Sequence, residues 1–112
     1  MMGNRQNKYV QIQVTFAKRE DAVRVVNEML DERLVCMGQI GEVTSFYNLD
    51  GRRCESKEFV LSLKTRAEFY KDCEKFIKSK HPYKCPQIED MMITDANKEY
   101  TDWIDCCTEL KW

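Results

Sequence analysis

The residues of this chain best suited to chemistry are one histidine and six cysteines. His81 offers a neutral imidazole, a good ligand for Cu or Zn. It also stands directly before Pro82, where a helix must stop. From the residues alone it reads first as a helix terminus, its ring near the negative pole of the helix dipole. The cysteines stand at 36, 54, 73, 85, 106 and 107. None has Cys-x-x-Cys spacing, so a closed tetrahedral zinc site built from neighbouring ligands is not written here. Cys36 and Cys73 fall on apolar faces and read as small buried hydrophobes. Adjacent Cys106 and Cys107 are poorly disposed to bridge to each other, and one of the two is expected to face the core. Cys54 and Cys85 lie near loops or strand ends, where either could lend a thiolate to a metal held by His81. Glu58 is the best carboxylate partner for that ligand, with a solvated or inter-subunit ion pair as its alternative reading. A Cys–His nucleophilic pair, His81 with Cys85 or Cys54, would need the thiol within hydrogen-bond reach and a third group to orient the ring. No Gly-rich phosphate loop and no Gly-x-Ser-x-Gly run accompanies it. The pattern is that of a binding module and not of an enzyme.

These side chains must be positioned by a small number of elements. From Tyr9 the chain alternates, with Val10, Ile12, Val14 and Phe16 on one face and Gln11, Gln13 and Thr15 on the other, which predicts a strand. Ala22, Val25, Val26, Met29 and Leu30 make one apolar helical stripe, ending near Arg33 or Leu34. Residues 35–48 are rich in β-branched and aromatic side chains. Asp50-Gly51 signals a hairpin turn, and residues 53–64 alternate as the return strand. Both strands exceed the roughly five to six residues usual in globular proteins, so their hairpin should overhang its own sheet and leave unpaired backbone for a partner. A second helix, from Ala67 to about Lys80, carries Phe69, Cys73, Phe76 and Ile77. A strand at 88–94 follows, and then a helix with Tyr100, Trp103, Ile104 and Cys107, capped by Asp95 or Asn97. The order β-α-β-β-α-β with a C-terminal helix predicts an α+β, ferredoxin-like fold: a four-stranded antiparallel sheet with a long hairpin between its second and third strands. Glu58 then lies mid-strand on the face away from the helices.

At 112 residues the chain suits one domain, expected over residues 9–112 behind a disordered tail at 1–8. The formal net charge of -1, with basic residues scattered, argues against a nucleic-acid surface. No apolar run nears the roughly 18 residues that span a bilayer. Residues 1–8 are polar and lack the apolar centre of a signal peptide, so a cytoplasmic location with reduced cysteines is expected.

Three runs carry a family resemblance. Phe46-Tyr47-Asn48-Leu49-Asp50-Gly51 resembles the hairpin tip of the CutA family of divalent-ion (copper) tolerance proteins. Glu58-Phe59-Val60-Leu61-Ser62-Leu63-Lys64-Thr65 resembles that family's third strand. His81-Pro82-Tyr83-Lys84-Cys85-Pro86 is similar to its His-Pro-Tyr-x-x-Pro signature, and Thr94, Tyr100 and Trp103 match the pattern after it. The resemblance implies a homotrimer whose long hairpins pair edge to edge, acting as a metal-binding or PII-like signalling module; animal members are linked to cholinesterase anchoring. It brings His81 forward as a metal ligand, for Cu(II) or another divalent cation, with Glu58, from its mid-strand place, as the expected second ligand; with no closed ligand set the cation is expected to be weakly bound and not required for folding. Tyr47, Tyr83 and Trp103 would line the cleft between subunits or pack its interface. The alternative is a scaffolding trimer that takes a small ligand or protein partner at that cleft, without metal chemistry. Two positions depart from the family pattern: Val14 stands where copper-binding bacterial members carry a first-strand cysteine, and Asn48 where many carry Trp.

Overall fold

The structure, a computed structural model, describes residues 8–108. The expected tail, Lys8 aside, lies outside the described residues, as do positions 109–112. The elements are β1 (Tyr9–Phe16), α1 (Arg19–Asp31), β2 (Met37–Leu49), β3 (Arg52–Arg66), α2 (Tyr70–Lys80), β4 (Ile88–Ile93) and α3 (Lys98–Cys107). A 3-10 turn, Ala67–Phe69, leads into α2. The four strands form one antiparallel sheet in the order β2-β3-β1-β4. This is the α+β, ferredoxin-like arrangement that the sequence predicts.

Alternation decides which face is buried. Val10, Ile12, Val14 and Phe16 of β1 lie opposite Thr65, Leu63, Leu61 and Phe59 of β3. All but the half-buried Phe59 and the polar Thr65 join Val25 and Met29 of α1, Phe69 just before α2, and Cys73 and Ile77 of α2 in the hydrophobic core. Val14, which is fully buried there, lies on the helix side of the sheet, whereas Glu58 lies on the other side.

Helix α1 ends at Asp31, earlier than its stripe suggests. Arg33 takes a left-handed φ of 60°. The Leu34 N–H donates to Met29 O at 3.1 Å and the Arg33 N–H to Leu30 O at 3.0 Å, the paired bonds of a Schellman closure. Glycine is favoured at that position, and an Arg there costs roughly 1 kcal/mol or more. Its guanidinium compensates, donating to Cys106 O at 2.8 Å and Cys107 O at 3.4 Å and so anchoring the last turn of α3.

Gly38 in β2 is a close-approach glycine. A Cβ there would sit 2.4 Å from Val26 Cγ2 and 3.0 Å from Leu63 Cδ2, while one on Gly41 would meet nothing within 4 Å. Gly38→Ala should therefore cost about 1–3 kcal/mol through overpacking. Gly41→Ala should be neutral or slightly stabilising, since Ala loses less chain entropy on folding. Urea melts of the two variants test this, and equal stabilities would show that α1 yields freely over β2.

The sheet stops before the hairpin does. The β1–β3 register ends at Phe16↔Phe59, yet β2 and β3 continue for seven more paired positions, from Val43↔Glu58 to Leu49↔Arg52. At about 3.4 Å per residue this two-stranded ribbon runs roughly 20 Å past its sheet. It accounts for the long axis of the molecule, 48 Å against 33 and 20 Å. The turn joins β2 to β3 through Asp50 (φ 52°) and Gly51 (φ 77°), both positive, as the tight primed hairpin turns require.

Candidate functional site

His81 follows the last residue of α2, and its N–H closes the helix onto Ile77 O at 2.8 Å. The ring is buried and stacks on Phe16, centroids 4.3 Å apart and planes 13° from parallel. The Tyr83 backbone N–H donates to Nδ1 at 3.1 Å. An N–H can only donate, so Nδ1 accepts, and Nε2 carries the proton that reaches Thr15 O at 2.8 Å. The imidazole is thus a neutral linker holding the 81–83 turn to the end of β1. A cation at Nδ1 would have to displace the Tyr83 N–H. Both ring nitrogens are engaged by backbone groups and, among the described residues, neither is bonded to a thiol, so the Cys–His pair considered from sequence is not formed.

Tyr83 gathers the other candidates. Its ring lies 4.7 Å from that of His81. Its phenol is held above its ordinary pKa by burial first, then by the nearby Glu58, Tyr47 and Asp21. Glu58 Oε1 accepts from the Ser45 hydroxyl across the β2–β3 ladder at 2.5 Å. Three of the five expected site residues, His81, Glu58 and Tyr83, therefore share one end of the sheet, where the ribbon begins, while Tyr47, paired with Cys54, lies four rungs further out along the ribbon. Asp21 and Ser45 join them without having been anticipated. Asp21 reads from sequence as a helix-start acid, and Ser45 carries no motif. Among the described residues no three His, Cys, Asp or Glu side chains gather as a metal cluster.

Trp103 lies elsewhere. It sits on α3 with Tyr100, ring centroids 5.9 Å apart. That helix docks at the Tyr9 end of β1, where Tyr9 Oη donates to Asp105 at 2.9 Å and Arg66 to Asp105 O at 2.6 Å. His81 is bonded at Thr15, so roughly 20 Å of strand separates the two places. An open depression of about 550 Å³ beside α3 is lined by Lys8, Tyr9, Arg66, Ala67, Glu68 and Asp105. Its two cations face two carboxylates, and Arg66 is already engaged with both, at 3.7 and 3.5 Å.

Asn48, where the resemblance leads one to expect Trp, accepts from Arg53 Nε at 2.8 Å, and so makes a polar cross-strand pair near the ribbon tip. The cysteines differ sharply in environment. Burial pushes the Cys36 thiol up to about 11, with Cys107 adding to it, and the Cys73 thiol up to about 12, with Asp72 adding to it. Cys85 and Cys106 are exposed. At pH 8 only about one Cys36 in 10³ and one Cys73 in 10⁴ would be thiolate. Iodoacetamide should label Cys85 and Cys106 first and Cys36 and Cys73 last by orders of magnitude. Peptide mapping over time tests this, and early labelling of Cys73 would contradict the packing of α2.

The fold is that of a small α+β domain with a projecting ribbon, near whose base lie His81, Tyr83 and Glu58. The family model described as CutA1 divalent ion tolerance protein matches residues 10–107. The divalent-cation tolerance protein CutA of Pyrococcus horikoshii is 34% identical over 93 residues, 83% of this chain and 91% of the relative. The crystal structure of CutA1 from the same organism superposes with a TM-score of 0.85 at 32% identity, covering 89% of this chain and 98% of that one. The structure of a protein from Archaeoglobus fulgidus, described as the periplasmic divalent cation tolerance protein CutA, gives 0.86 at 30% identity, covering 90% and 99%. This chain belongs to the CutA1 divalent ion tolerance family. The family is named for a tolerance and not for a reaction. No described helix is long and apolar enough to cross a membrane.

Proposed function

We propose that this chain serves divalent-cation tolerance as a cytoplasmic, non-catalytic homotrimer in which a neighbouring subunit covers each hairpin ribbon. The observation that carries this reading is the ribbon itself. A lone two-stranded hairpin is marginal in water, and its open edges invite pairing. This one exposes Phe46 at 66%, Leu49 at 57% and Tyr47 at 42% of their surfaces. In the trimer, Tyr47 and Tyr83 line a cleft beside His81 and Glu58, and Trp103 enters it from the adjacent subunit. Cu(II) or another divalent cation binds there through His81 and Glu58. Binding is weak, because Nδ1 must first leave the Tyr83 N–H. Folding does not depend on the cation. The hydrogen bonds on both His81 nitrogens favour a second reading, in which the same cleft takes a small ligand or a protein partner without metal, as a PII-like or scaffolding module.

Light scattering should give three times the chain mass of 13.4 kDa. Chelator should leave Tm unchanged, because no bound metal contributes to the folded state. Excess Cu(II) should then raise Tm by a few degrees in the wild type and not in Glu58→Gln. An equal rise in both would remove Glu58 as a ligand and leave the second reading. A monomeric mass would end the proposal.

A further inference from the structure

We propose that Cys107 and Cys36 form a reversible disulfide that locks the C-terminal helix onto the α1–β2 corner when the protein meets peroxide.

Tyr100, Ile104 and Cys107 stand at i, i+4 and i+7 and so share one stripe of α3. Ile104 is fully buried. Two turns above Cys107, the Tyr100 hydroxyl donates to Met37 Sδ at 3.5 Å. At the level of Cys107, Arg33 holds the carbonyls of Cys106 and Cys107. These contacts pin the stripe over the segment from Arg33 to Met37. Cys36 is the thiol inside that segment, buried with Leu34 and Val35, its own N–H fixed to Lys64 O at 2.9 Å. The electrostatics agree with the placement. After burial, Cys107 is the next cause of the raised Cys36 thiol, and Cys36 is the next cause of the raised Tyr100 phenol. Cys73 donates to Leu34 O at 3.7 Å under α2 and is buried, and Cys54 lies out on the ribbon.

Exposure assigns the order of events. Cys107 is half-buried and open to a small oxidant, whereas Cys36 is not. The Cys107 sulfur attacks hydrogen peroxide, breaking its O–O bond to give the sulfenic acid and one water. The Cys36 sulfur displaces hydroxide from that sulfenic acid, forming the S–S bond and a second water. Two thiols lose two electrons and two protons, and peroxide is reduced to two waters. A thiol such as glutathione reverses the step by exchange. The bond would close a loop of about 70 residues and hold α3 in place, an effect expected to grow with loop length.

The test uses the full chain, reduced and in chelator, treated with a few equivalents of hydrogen peroxide, then alkylated and mapped by mass spectrometry. The expected product is a linked Cys36–Cys107 peptide, reversed by dithiothreitol, with Tm raised by roughly 5–10 °C before reduction. Cys107→Ser should abolish the link and Cys106→Ser should keep it. Chains linked through Cys106 or Cys85, or Cys107 carried to its sulfinic acid with Cys36 still free, would overturn the proposal.

Discussion

Phe46→Lys should reduce the proposed homotrimer from three chains to one, a fall in mass from about 40 kDa to 13.4 kDa. Within a single chain the change is mild. Phe46 is 66% exposed, and exposed substitutions usually stay within about 0.5 kcal/mol. Its cross-strand neighbour is Glu55, so a lysine gains an opposite charge across the ladder, where an aspartate would meet a like one. The ribbon as a local structure is therefore spared. Between chains the change is severe, because a covered ammonium must shed its water at every copy of the contact, costing several kcal/mol each time. Light scattering at low micromolar concentration reads the result. Hydrogen exchange adds a second readout: amides at positions 43–49 should lose protection in the variant while those of β1 keep theirs. A variant that stays three chains in size with an unshifted melt would show that Phe46 faces water in the assembly and that subunits meet elsewhere.

Much of this fold was written in local pattern. The alternation of β1, the stripe of α1 and the Asp50-Gly51 turn each need only neighbours in sequence, and each formed where expected. The departures have long-range causes. The early end of α1 depends on a left-handed Arg33 whose compensation comes from Cys106 and Cys107, more than seventy positions away. The second strand starts at Met37 and not at 35, because Val35 and Cys36 pack into the core as a link before the ladder begins. The 67–69 segment is a 3-10 turn whose first N–H, that of Ala67, donates to Lys8 O at 2.7 Å, nearly sixty positions away. Asn97 takes the N-cap position of α3 without a side-chain capping bond to the helix backbone, and Asp95 instead accepts from the Ala96 N–H at 2.9 Å. The site divides in the same way. His81 and Tyr83 are two positions apart and could be paired from the motif. The approach of Glu58 and Tyr47 to Tyr83 follows from register, since the rungs beyond Phe59 carry them past the end of β1. Trp103 could not be placed from sequence, because nothing local says at which end of β1 the last helix docks.

What His81 does with its nitrogens was the least legible feature, and it carries the last prediction. His81→Ala should lower stability by about 3–4 kcal/mol with chelator present and no metal added. The variant strands two backbone groups at once. Thr15 O loses its donor, a buried group that costs about 1–3 kcal/mol when left unpaired, and the part-buried Tyr83 N–H loses its acceptor at a smaller cost. It also removes a ring stacked on Phe16, and the cavity left there adds to the cost. For a domain near 100 residues this corresponds to a drop in Tm on the order of 15–25 °C. His81→Phe separates the two contributions. It keeps an aromatic face against Phe16 but leaves both backbone groups unpaired, so it should recover only the packing share, about 1 kcal/mol. A histidine that served solely as a metal ligand would behave differently. Its loss would leave the metal-free melt unchanged and show only when copper is added. A His81→Ala melt within about 3 °C of wild type in chelator would therefore mean that the two hydrogen bonds do not hold the 81–83 turn, and that the ring is free to serve a cation instead.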